Sequence, residues 1–265
     1  MLQISQLYIY PIKSLGGISV KQAAVTDRGL EYDRRWMLVD DNGVFLTQRI
    51  LPSMALLQVE MAGPALKVYP KNDKGNSILI PLEAESDDEM EVIVWDDTCS
   101  SVLVSKDADK WFSEMLGLSC HLVYMPDSSL RMVDKGYAHN GEVTSFSDGF
   151  PTLIIGQASL DDLNQRLSMQ IPMDRFRPNI VFRGGRAFEE DEMHSFTING
   201  IQFAGVKPCA RCVITTINQA TGEKGKEPLQ SLSGYRQVNN KVLFGMNLLH
   251  EGEDIIHVGD VITRH

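Results

Sequence analysis

The chain has 265 residues, of which 43% are hydrophobic and 23% are charged, a composition typical of a folded globular protein. Its 35 acidic and 25 basic residues give a net charge of −10 with histidine neutral, which argues against nucleic acid or an anionic membrane as a partner. No apolar run approaches the roughly 18 residues that a membrane helix needs. The four cysteines are too few and too unevenly spaced for a disulfide scaffold, so we expect a reducing, cytoplasmic location.

The first half of the chain predicts many short strands. Residues 2–10 alternate apolar and polar side chains, as a strand with one buried face does. The turn Asp41-Asn42-Gly43 predicts a hairpin between 35–40 and 44–48. Further predicted strands cover 18–25, 55–61, 66–69, 78–82, 91–95 and 102–105. Strands at this spacing, with Pro and Gly between them, favour a barrel or a sandwich.

The second half predicts a mixed fold. A first helix is expected at about 107–117, and a second at 159–168 with Ser159 as its N-cap. Asn199-Gly200 predicts a tight hairpin. Two more strands are expected at 213–217, which is β-branched throughout, and at 255–262. The seam near 122–145, rich in Asp, Ser, Gly and His, divides an N-terminal β unit from a C-terminal mixed unit.

The pair Cys209 and Cys212 is the strongest chemical signal in the sequence, and it has several interpretations. A thioredoxin-like redox pair needs its first cysteine at a helix N-terminus, whereas a strand is expected after this pair. A structural zinc site needs four ligands, and neither the other cysteines nor the six histidines show ligand spacing. A third interpretation is a metal bound by one thiolate and by cofactor ligands, with Arg211 favouring the deprotonated sulfur. In the fourth interpretation, both cysteines are small buried residues that only fill space in the core.

Positive charge lies where loops meet predicted strands. Lys13 and Ser14 follow the first strand, Arg34 precedes the strand at 35–40, and Arg177 and Asn179 precede an apolar run. Each is ordinary surface charge when taken alone, but together with Arg211 they form an anion-binding set in an acidic chain.

Asp148 lies in the turn Ser147-Asp148-Gly149 before the apolar run 152–155. It is either an ordinary turn aspartate or an acceptor for the N–H donors of a heterocycle. The sequence does not choose between the two.

The chain resembles the MOSC family in its β-barrel-plus-MOSC arrangement, which includes the mitochondrial amidoxime-reducing component and bacterial reductases of N-hydroxylated bases. The resemblance covers essentially the whole chain in order. The matching segments are 10–14 (YPIKS), 29–36 (GLEYDRRW), 46–49 (LTQR), 176–179 (FRPN), 207–212 (KPCARC), 227–229 (EPL) and 257–260 (HVGD).

The resemblance implies a mainly β fold with a few helices and two domains. Residues 1–122 would form an N-terminal MOSC-associated β-barrel domain, whose first strands through about 34 also reach the cofactor site, and residues 123–265 would form the MOSC domain. It further implies a molybdenum cofactor, a phosphate-bearing pterin dithiolene, with Cys212 rather than Cys209 as the catalytic metal ligand. The positions that match cofactor-binding residues are Lys13, Ser14, Arg34, Asp148, Arg177, Asn179 and Arg211.

Three departures from the family narrow the function. The cysteines cannot supply an iron–sulfur cluster with plant-type spacing, so electrons are expected from a separate ferredoxin-type or flavoprotein-type donor. Neither a membrane anchor nor an aminotransferase-like domain is expected, so intrinsic pyridoxal phosphate is not expected either. The resemblance thus implies an oxidoreductase that reduces N-hydroxylated small molecules. The alternatives are a cofactor or sulfur carrier, with Cys212 as a persulfide site, and a β domain whose cysteines are structural.

Overall fold

The computed structural model of the protein describes residues 1–83, 86–138 and 140–265. The described residues are mostly strands, and none of their helices is long and apolar enough to cross a membrane. The strands up to Tyr124 are β1 (Leu2–Ile9), β2 (Ile18–Val20), β3 (Gln22–Thr26), β4 (Gly29–Leu30), β5 (Trp36–Val39), β6 (Leu57–Ala62), β7 (Ala65–Pro70), β8 (Ile78–Pro81), β9 (Glu89–Val94), β10 (Asp97–Leu103) and β11 (His121–Tyr124).

The later strands are β12 (Arg131–Met132), β13 (Val143–Thr144), β14 (Thr152–Gly156), β15 (Ile180–Arg183), β16 (Ser195–Ile198), β17 (Ile201–Ala210), β18 (Gln237–Val238), β19 (Lys241–Glu251), β20 (Ile255–His257) and β21 (Val261–Arg264). The α-helices are α1 (Lys106–Leu116), α2 (Gln157–Arg166) and α3 (Leu229–Ser233). Short 3₁₀ helices cover Pro52–Leu56, Met173–Arg175, Glu189–Glu192 and Val213–Thr216.

Seven strands form a closed barrel in the order β14-β15-β1-β21-β16-β17-β19, because β19 pairs back with β14. Only the pair β14 and β15 is parallel among these neighbours. The strand β1 comes from the start of the chain yet lies between β15 and β21, so the sheet joins both halves of the sequence. Apolar side chains fill the interior, among them Ile4, Leu7, Ile180, Phe196, Phe203 and Leu248.

The first half adds two smaller sheets, β5-β11-β10-β9 and β6-β7-β8. They share a core with α1 that includes Trp36, Leu38, Val59, Leu66, Phe112 and Leu122. The helix α1 begins after Ser105, whose hydroxyl accepts a hydrogen bond from the amide of Ala108, and it ends at Gly117 with a left-handed φ of 72°. The mainly β architecture expected from the sequence is confirmed.

Several local predictions hold and others need correction. The hairpin at Asn199-Gly200 is confirmed, with left-handed φ values of 45° and 81° at the two residues. Of residues 44–48, Phe45 forms an antiparallel bridge with Val39 in β5 and Val44 forms a parallel bridge with Ile93 in β9. The two arms of the predicted hairpin therefore pair across the turn, but residues 44–48 form no strand of their own. Ser159 is wrong as an N-cap, because α2 begins after Gly156. Its hydroxyl instead donates to the buried carboxylate of Glu190, 2.8 Å away.

The prediction of a strand at 213–217 is also wrong, because Val213–Thr216 is a 3₁₀ helix. The hydroxyls of Thr215 and Thr216 donate to the carbonyls of Cys212 and Val213, at 2.9 and 2.7 Å. Such local side-chain bonds satisfy the backbone within the turn and compete with sheet formation.

Candidate functional site

One cleft where the two halves of the chain meet contains every residue that the sequence proposed for a site. Backbone hydrogen bonds join the segments: the amide of Arg34 donates to the carbonyl of Tyr10, and the amide of Phe146 donates to the carbonyl of Arg34, at 2.9 and 3.0 Å. The proposed residues that line the cleft are Lys13, Ser14, Arg34, Asp148, Arg177, Asn179, Arg211 and Cys212.

Three of these residues have a backbone conformation that side chains rarely adopt. The φ angles are 69° at Ser14, 52° at Arg34 and 53° at Arg177. A non-glycine residue in this region costs on the order of 1–3 kcal/mol, and such residues cluster at functional sites. The fold therefore accepts strain in order to place these three side chains in one cleft.

The Tyr10 ring packs against two of the arginines, a role that was not predicted although Tyr10 begins the matching segment 10–14. The guanidinium carbons of Arg34 and Arg177 are 4.4 and 4.2 Å from its ring centroid. The ring is 1% exposed, its hydroxyl has no hydrogen-bond partner in the described part of the chain, and burial raises the pKa of this phenol. Because the faces of aromatic rings attract cations, Tyr10 allows the two positive charges to lie near each other.

Arg34 is fixed by Asp33 and Asn179. Its guanidinium donates to the Asp33 carboxylate at 2.6 Å and to Oδ1 of Asn179 at 3.2 Å. Burial acts to lower the pKa of Arg34, but Asp33 together with Tyr10 and Asp148 leaves this pKa raised. The Asn179 amide also bonds to backbone groups of Tyr8 and Leu153, at 3.3 and 3.2 Å. Asn179 is 1% exposed, so it positions Arg34 between the strands β1 and β14.

Arg177 is a cation without a carboxylate partner. Its guanidinium donates to the carbonyl of Leu15 at 2.7 Å, and no carboxylate of the described residues lies within ion-pair distance of it. Burial, opposed in part by Tyr10, lowers the pKa of Arg177 to about 10. A partly buried positive charge without a carboxylate partner fits an anionic ligand, because the ion pair would offset the desolvation of the guanidinium.

Lys13 and Asp148 form a second ion pair in the cleft, beside that of Arg34 with Asp33. The ammonium of Lys13 is 2.7 Å from Oδ1 of Asp148 and donates to the carbonyl of Phe146, also at 2.7 Å. Burial lowers the pKa of Lys13 to about 8 although Asp148 opposes the shift. The Asp148 side chain is 62% exposed at the mouth of the cleft. Desolvation by the cleft acts to raise the pKa of Asp148, but Lys13 and Arg49 lower it well below its usual range. Asp148 therefore stays ionised, and its carboxylate orients the ammonium of Lys13 and the guanidinium of Arg49.

The two cysteines have different neighbours. Sγ of Cys209 is 2.9 Å from Nη1 of Arg211, whereas Sγ of Cys212 is 3.3 Å from Nη2 of Arg49. The expectation that Arg211 would assist the metal-binding sulfur needs correction, because this side chain turns back to Cys209 and to the carbonyl of Phe176. Two irregularities in the pairing of β17 with β19, after Gly205 and after Pro208, redirect the side chains here.

Arg49 is the functional candidate that the sequence reasoning missed. It lies in the turn after residues 44–48 and reaches Cys212 from the other half of the chain. The signal was present, because Arg49 ends the segment LTQR that contributes to the family resemblance. Spacing alone could not connect it to a cysteine more than 160 residues away.

The other interpretations of the cysteine pair find no support. Cys209 lies in the strand β17, so it is not at the N-terminus of a helix as a thioredoxin-like pair requires. The described residues contain no group of three or more His, Cys, Asp and Glu that could hold a metal ion, so the cysteine pair lacks the further ligands that a structural zinc site needs. Of the six histidines, His139 lies outside the described residues.

Comparisons with known proteins match both parts of the chain to domain families. The MOSC N-terminal beta barrel domain matches residues 1–119, and the MOSC domain matches residues 141–263. Mitochondrial amidoxime-reducing component 1 of Mus musculus is 31% identical over 98% of this chain and 81% of its own length. Mitochondrial amidoxime reducing component 2 of Rattus norvegicus is also 31% identical, over 98% of this chain and 82% of its own length.

A second group of relatives is longer. The molybdenum cofactor sulfurase of Oryza sativa subsp. japonica is 31% identical over 94% of this chain, which spans 33% of the sulfurase. Since both domain models match in order and relatives at this identity cover nearly the whole chain, the chain belongs to the MOSC family, with an N-terminal MOSC β-barrel domain followed by a MOSC domain.

Proposed function

We propose that the protein binds the molybdenum cofactor in this cleft and is a molybdenum-dependent oxidoreductase that reduces N-hydroxylated compounds. The observation that carries the proposal is that one cleft is lined both by the Cys212 thiol and by Arg177, a partly buried cation without a carboxylate partner. The donor set suits the group, because a soft sulfur suits molybdenum and guanidinium groups suit a phosphate. When bound, the cofactor supplies two-electron redox chemistry at its metal.

Each residue of the cleft has a proposed role. Cys212 ligates the metal, while Lys13, Ser14, Arg34 and Arg177 hold the pterin and its phosphate. Asp148 and Arg211 lie beside the metal or the pterin. Asn179 acts through Arg34, because its amide oxygen accepts from that guanidinium. The division into domains at 1–122 and 123–265 stays part of this proposal, with residues through about 34 contributing to the site of the second domain.

The proposed reaction converts N–OH to N–H and water with two electrons and two protons. The mouse and rat relatives are named as amidoxime-reducing components, which supports this reaction type. We expect the electrons to come from a separate ferredoxin-type or flavoprotein-type protein. We expect neither an iron–sulfur cluster nor pyridoxal phosphate in this chain. The cytoplasm is the proposed location, because Cys99, Cys120, Cys209 and Cys212 are all free.

A second candidate is a carrier that delivers the cofactor or its sulfur without reducing a small substrate. The identity of 31% to a molybdenum cofactor sulfurase favours it. Cys212 would then carry a persulfide, and the cations of the cleft would hold the cofactor only transiently.

Metal and pterin analysis combined with an activity assay separates the two candidates. The protein is purified from a host that makes the cofactor, and molybdenum, pterin, iron and pyridoxal phosphate are measured per chain. Reduction of an N-hydroxylated base is then assayed with a chemical reductant and with added electron-transfer proteins. Bound molybdenum with turnover supports the reductase, bound molybdenum without turnover supports the carrier, and a protein that never contains molybdenum contradicts both.

A further inference from the structure

The guanidinium of Arg49 contacts three groups at the mouth of the cleft. Its Nη2 atom is 3.3 Å from Sγ of Cys212 and 3.5 Å from Oδ2 of Asp148. Its central carbon lies 4.4 Å from the ring centroid of Trp95. The Arg49 side chain is 21% exposed, so these contacts hold it at the boundary between the sulfur and solvent.

Trp95 has a strained backbone conformation, which costs the fold stability. Its φ of 58° is left-handed, which is rare for a bulky residue, and 41% of the residue remains exposed. The indole N–H is 3.4 Å from Oδ1 of Asp148, and the ring of Phe45 lies 5.1 Å away at an interplanar angle of 58°. A strained, partly exposed tryptophan contributes little to a core, and strain of this kind occurs where placement matters.

The contact between Arg49 and Cys212 has a defined chemical effect. A hydrogen bond from a guanidinium withdraws electron density from a sulfur, and the adjacent positive charge favours electron-rich states of whatever the sulfur binds. Hydrogen bonds to ligating sulfurs are among the means by which proteins set reduction potentials. The Cys209 sulfur contacts Arg211 instead, so of the two cysteines it is Cys212 that accepts the hydrogen bond from Arg49.

We propose that Trp95 is a positioning residue that holds Arg49 as the hydrogen-bond donor to the Cys212 sulfur. The stacked indole restricts the guanidinium to the orientation in which Nη2 faces the sulfur and Asp148. The consequence for the metal rests on the proposed function: Arg49 raises the reduction potential of molybdenum bound to Cys212. The contact itself exists without the metal and is tested without it.

The first test compares an anionic with a neutral alkylating reagent at Cys212 in the metal-free protein. Iodoacetate and iodoacetamide both consume the same thiolate, so the ratio of their rates is independent of how much thiolate is present. Tryptic cleavage after Arg211 separates Cys209 from Cys212, and mass spectrometry reads each site. A cation about 4 Å from the carboxylate of the incoming iodoacetate should favour that reagent by about fivefold in a water-like dielectric.

Five variants give the expected pattern. Arg49→Gln lowers the iodoacetate to iodoacetamide ratio at Cys212 by about fivefold, and Arg49→Lys retains part of it, because a positive charge remains. Trp95→Leu lowers the ratio although Arg49 is present, whereas Trp95→Phe preserves it by retaining an aromatic face. Lys226→Gln removes the same charge from an exposed position and leaves the ratio unchanged. An unchanged ratio in Arg49→Gln overturns the proposal, and an unchanged ratio in Trp95→Leu overturns the role of Trp95.

The second test uses the molybdenum-loaded protein. The midpoint potential of the metal, followed by electron paramagnetic resonance during a redox titration, should be lower in Arg49→Gln and Trp95→Leu than in the parent or in Trp95→Phe. Equal potentials in all four proteins overturn the tuning effect. If the protein binds no molybdenum, the proposed function fails, whereas the alkylation ratio still decides whether Arg49 and Trp95 control the sulfur.

Discussion

The two cysteines at 209 and 212 are close in sequence and differ in almost every other respect. Cys209 lies in a strand of the barrel and contacts Arg211, from the same half of the chain. Cys212 lies after the strand has ended, at the start of a 3₁₀ helix, and contacts Arg49 from the first half. The difference teaches that a CxxC spacing need not describe a symmetric pair. Here one sulfur belongs to the barrel wall and the other to the interface between the halves.

The strongest way to break this comparison is to replace each cysteine in turn. Cys212→Ser should lower molybdenum per chain by roughly tenfold or more, because the metal loses its protein ligand. Cys209→Ser should retain molybdenum near the parent level, since the Cys209 sulfur contacts Arg211 and is not the proposed metal ligand. Metal analysis of both proteins, with circular dichroism as a folding control, provides the measurement. Equal losses in the two variants would make the pair symmetric and would contradict the assignment.

The cations that line the cleft with Cys212 offer the next test. Arg177→Ala should weaken retention of the cofactor by about tenfold to a hundredfold, because a buried charge-assisted hydrogen bond is worth about 1.5–3 kcal/mol. The matched control is Arg166→Ala on α2, where the arginine pairs with Asp162 and is 50% exposed. Pterin content after extended dialysis measures retention. Equal retention in both variants would show that the phosphate is bound elsewhere.

The shifted pKa of Lys13 predicts that anion affinity depends on pH, with a smaller effect than that of Arg177→Ala. Since burial lowers its pKa to about 8, Lys13 is charged below that pH and loses its proton above it. Binding of an anion needs the charged form, so affinity should fall by up to about tenfold per pH unit above 8. Binding of phosphate to the metal-free protein, followed by calorimetry between pH 7 and 9.5, measures this. Lys13→Arg should abolish the fall, and a fall that persists in this variant would point to another group.

The lowered pKa of Lys13 also affects folding stability, which should rise with pH where the anion affinity falls. Between pH 8 and its usual pKa of 10.5, Lys13 carries fewer protons in the folded protein than in the unfolded chain. Stability of the metal-free protein should therefore rise with pH through this window, as far as Lys13 alone contributes.

The smallest expected effect concerns the strain at Ser14. Glycine adopts a φ of 69° without penalty, so Ser14→Gly should raise the free energy of unfolding by up to about 1 kcal/mol. Cofactor content should fall in the same protein, because the hydroxyl is lost. Ser14→Ala loses the hydroxyl but keeps the strain, so it separates the two effects. Urea denaturation with pterin analysis would reveal a Ser14→Gly protein that is destabilised, and that result would contradict the strain argument.

Much of the fold was predictable because strands have a local signature. The alternation in residues 2–10 and the turn residues Asn199 and Gly200 both specify structure within a few residues. The partners of each strand were not predictable, since alternation gives a buried face and no neighbour. Thus the position of β1 between β15 and β21 came only from the structure. The error at 213–217 arose because β-branched residues favour strands unless hydroxyls such as that of Thr215 bond locally.

The candidate site was predictable where charge stood out from its surroundings. Lys13, Arg34 and Arg177 were notable because they are basic residues at strand ends in an acidic protein. Tyr10 and Trp95 could not be found in this way, since a tyrosine or a tryptophan in a β-rich sequence predicts packing. Their roles depend on the guanidinium groups that stack on them, and stacking is a property of the folded chain.

The position of β1 has a practical consequence for dividing the protein into pieces. A chain cut between the exposed residues Asp127 and Ser128, which lie between β11 and β12, would give one fragment that presents Ile4 and Leu7 without a barrel around them. The other fragment would contain a barrel with open edges at β15 and β21, which invites aggregation. Each fragment supplies what the other lacks, so the pair is suited to complementation, in which co-expression restores a closed barrel and a site assembled from both polypeptides.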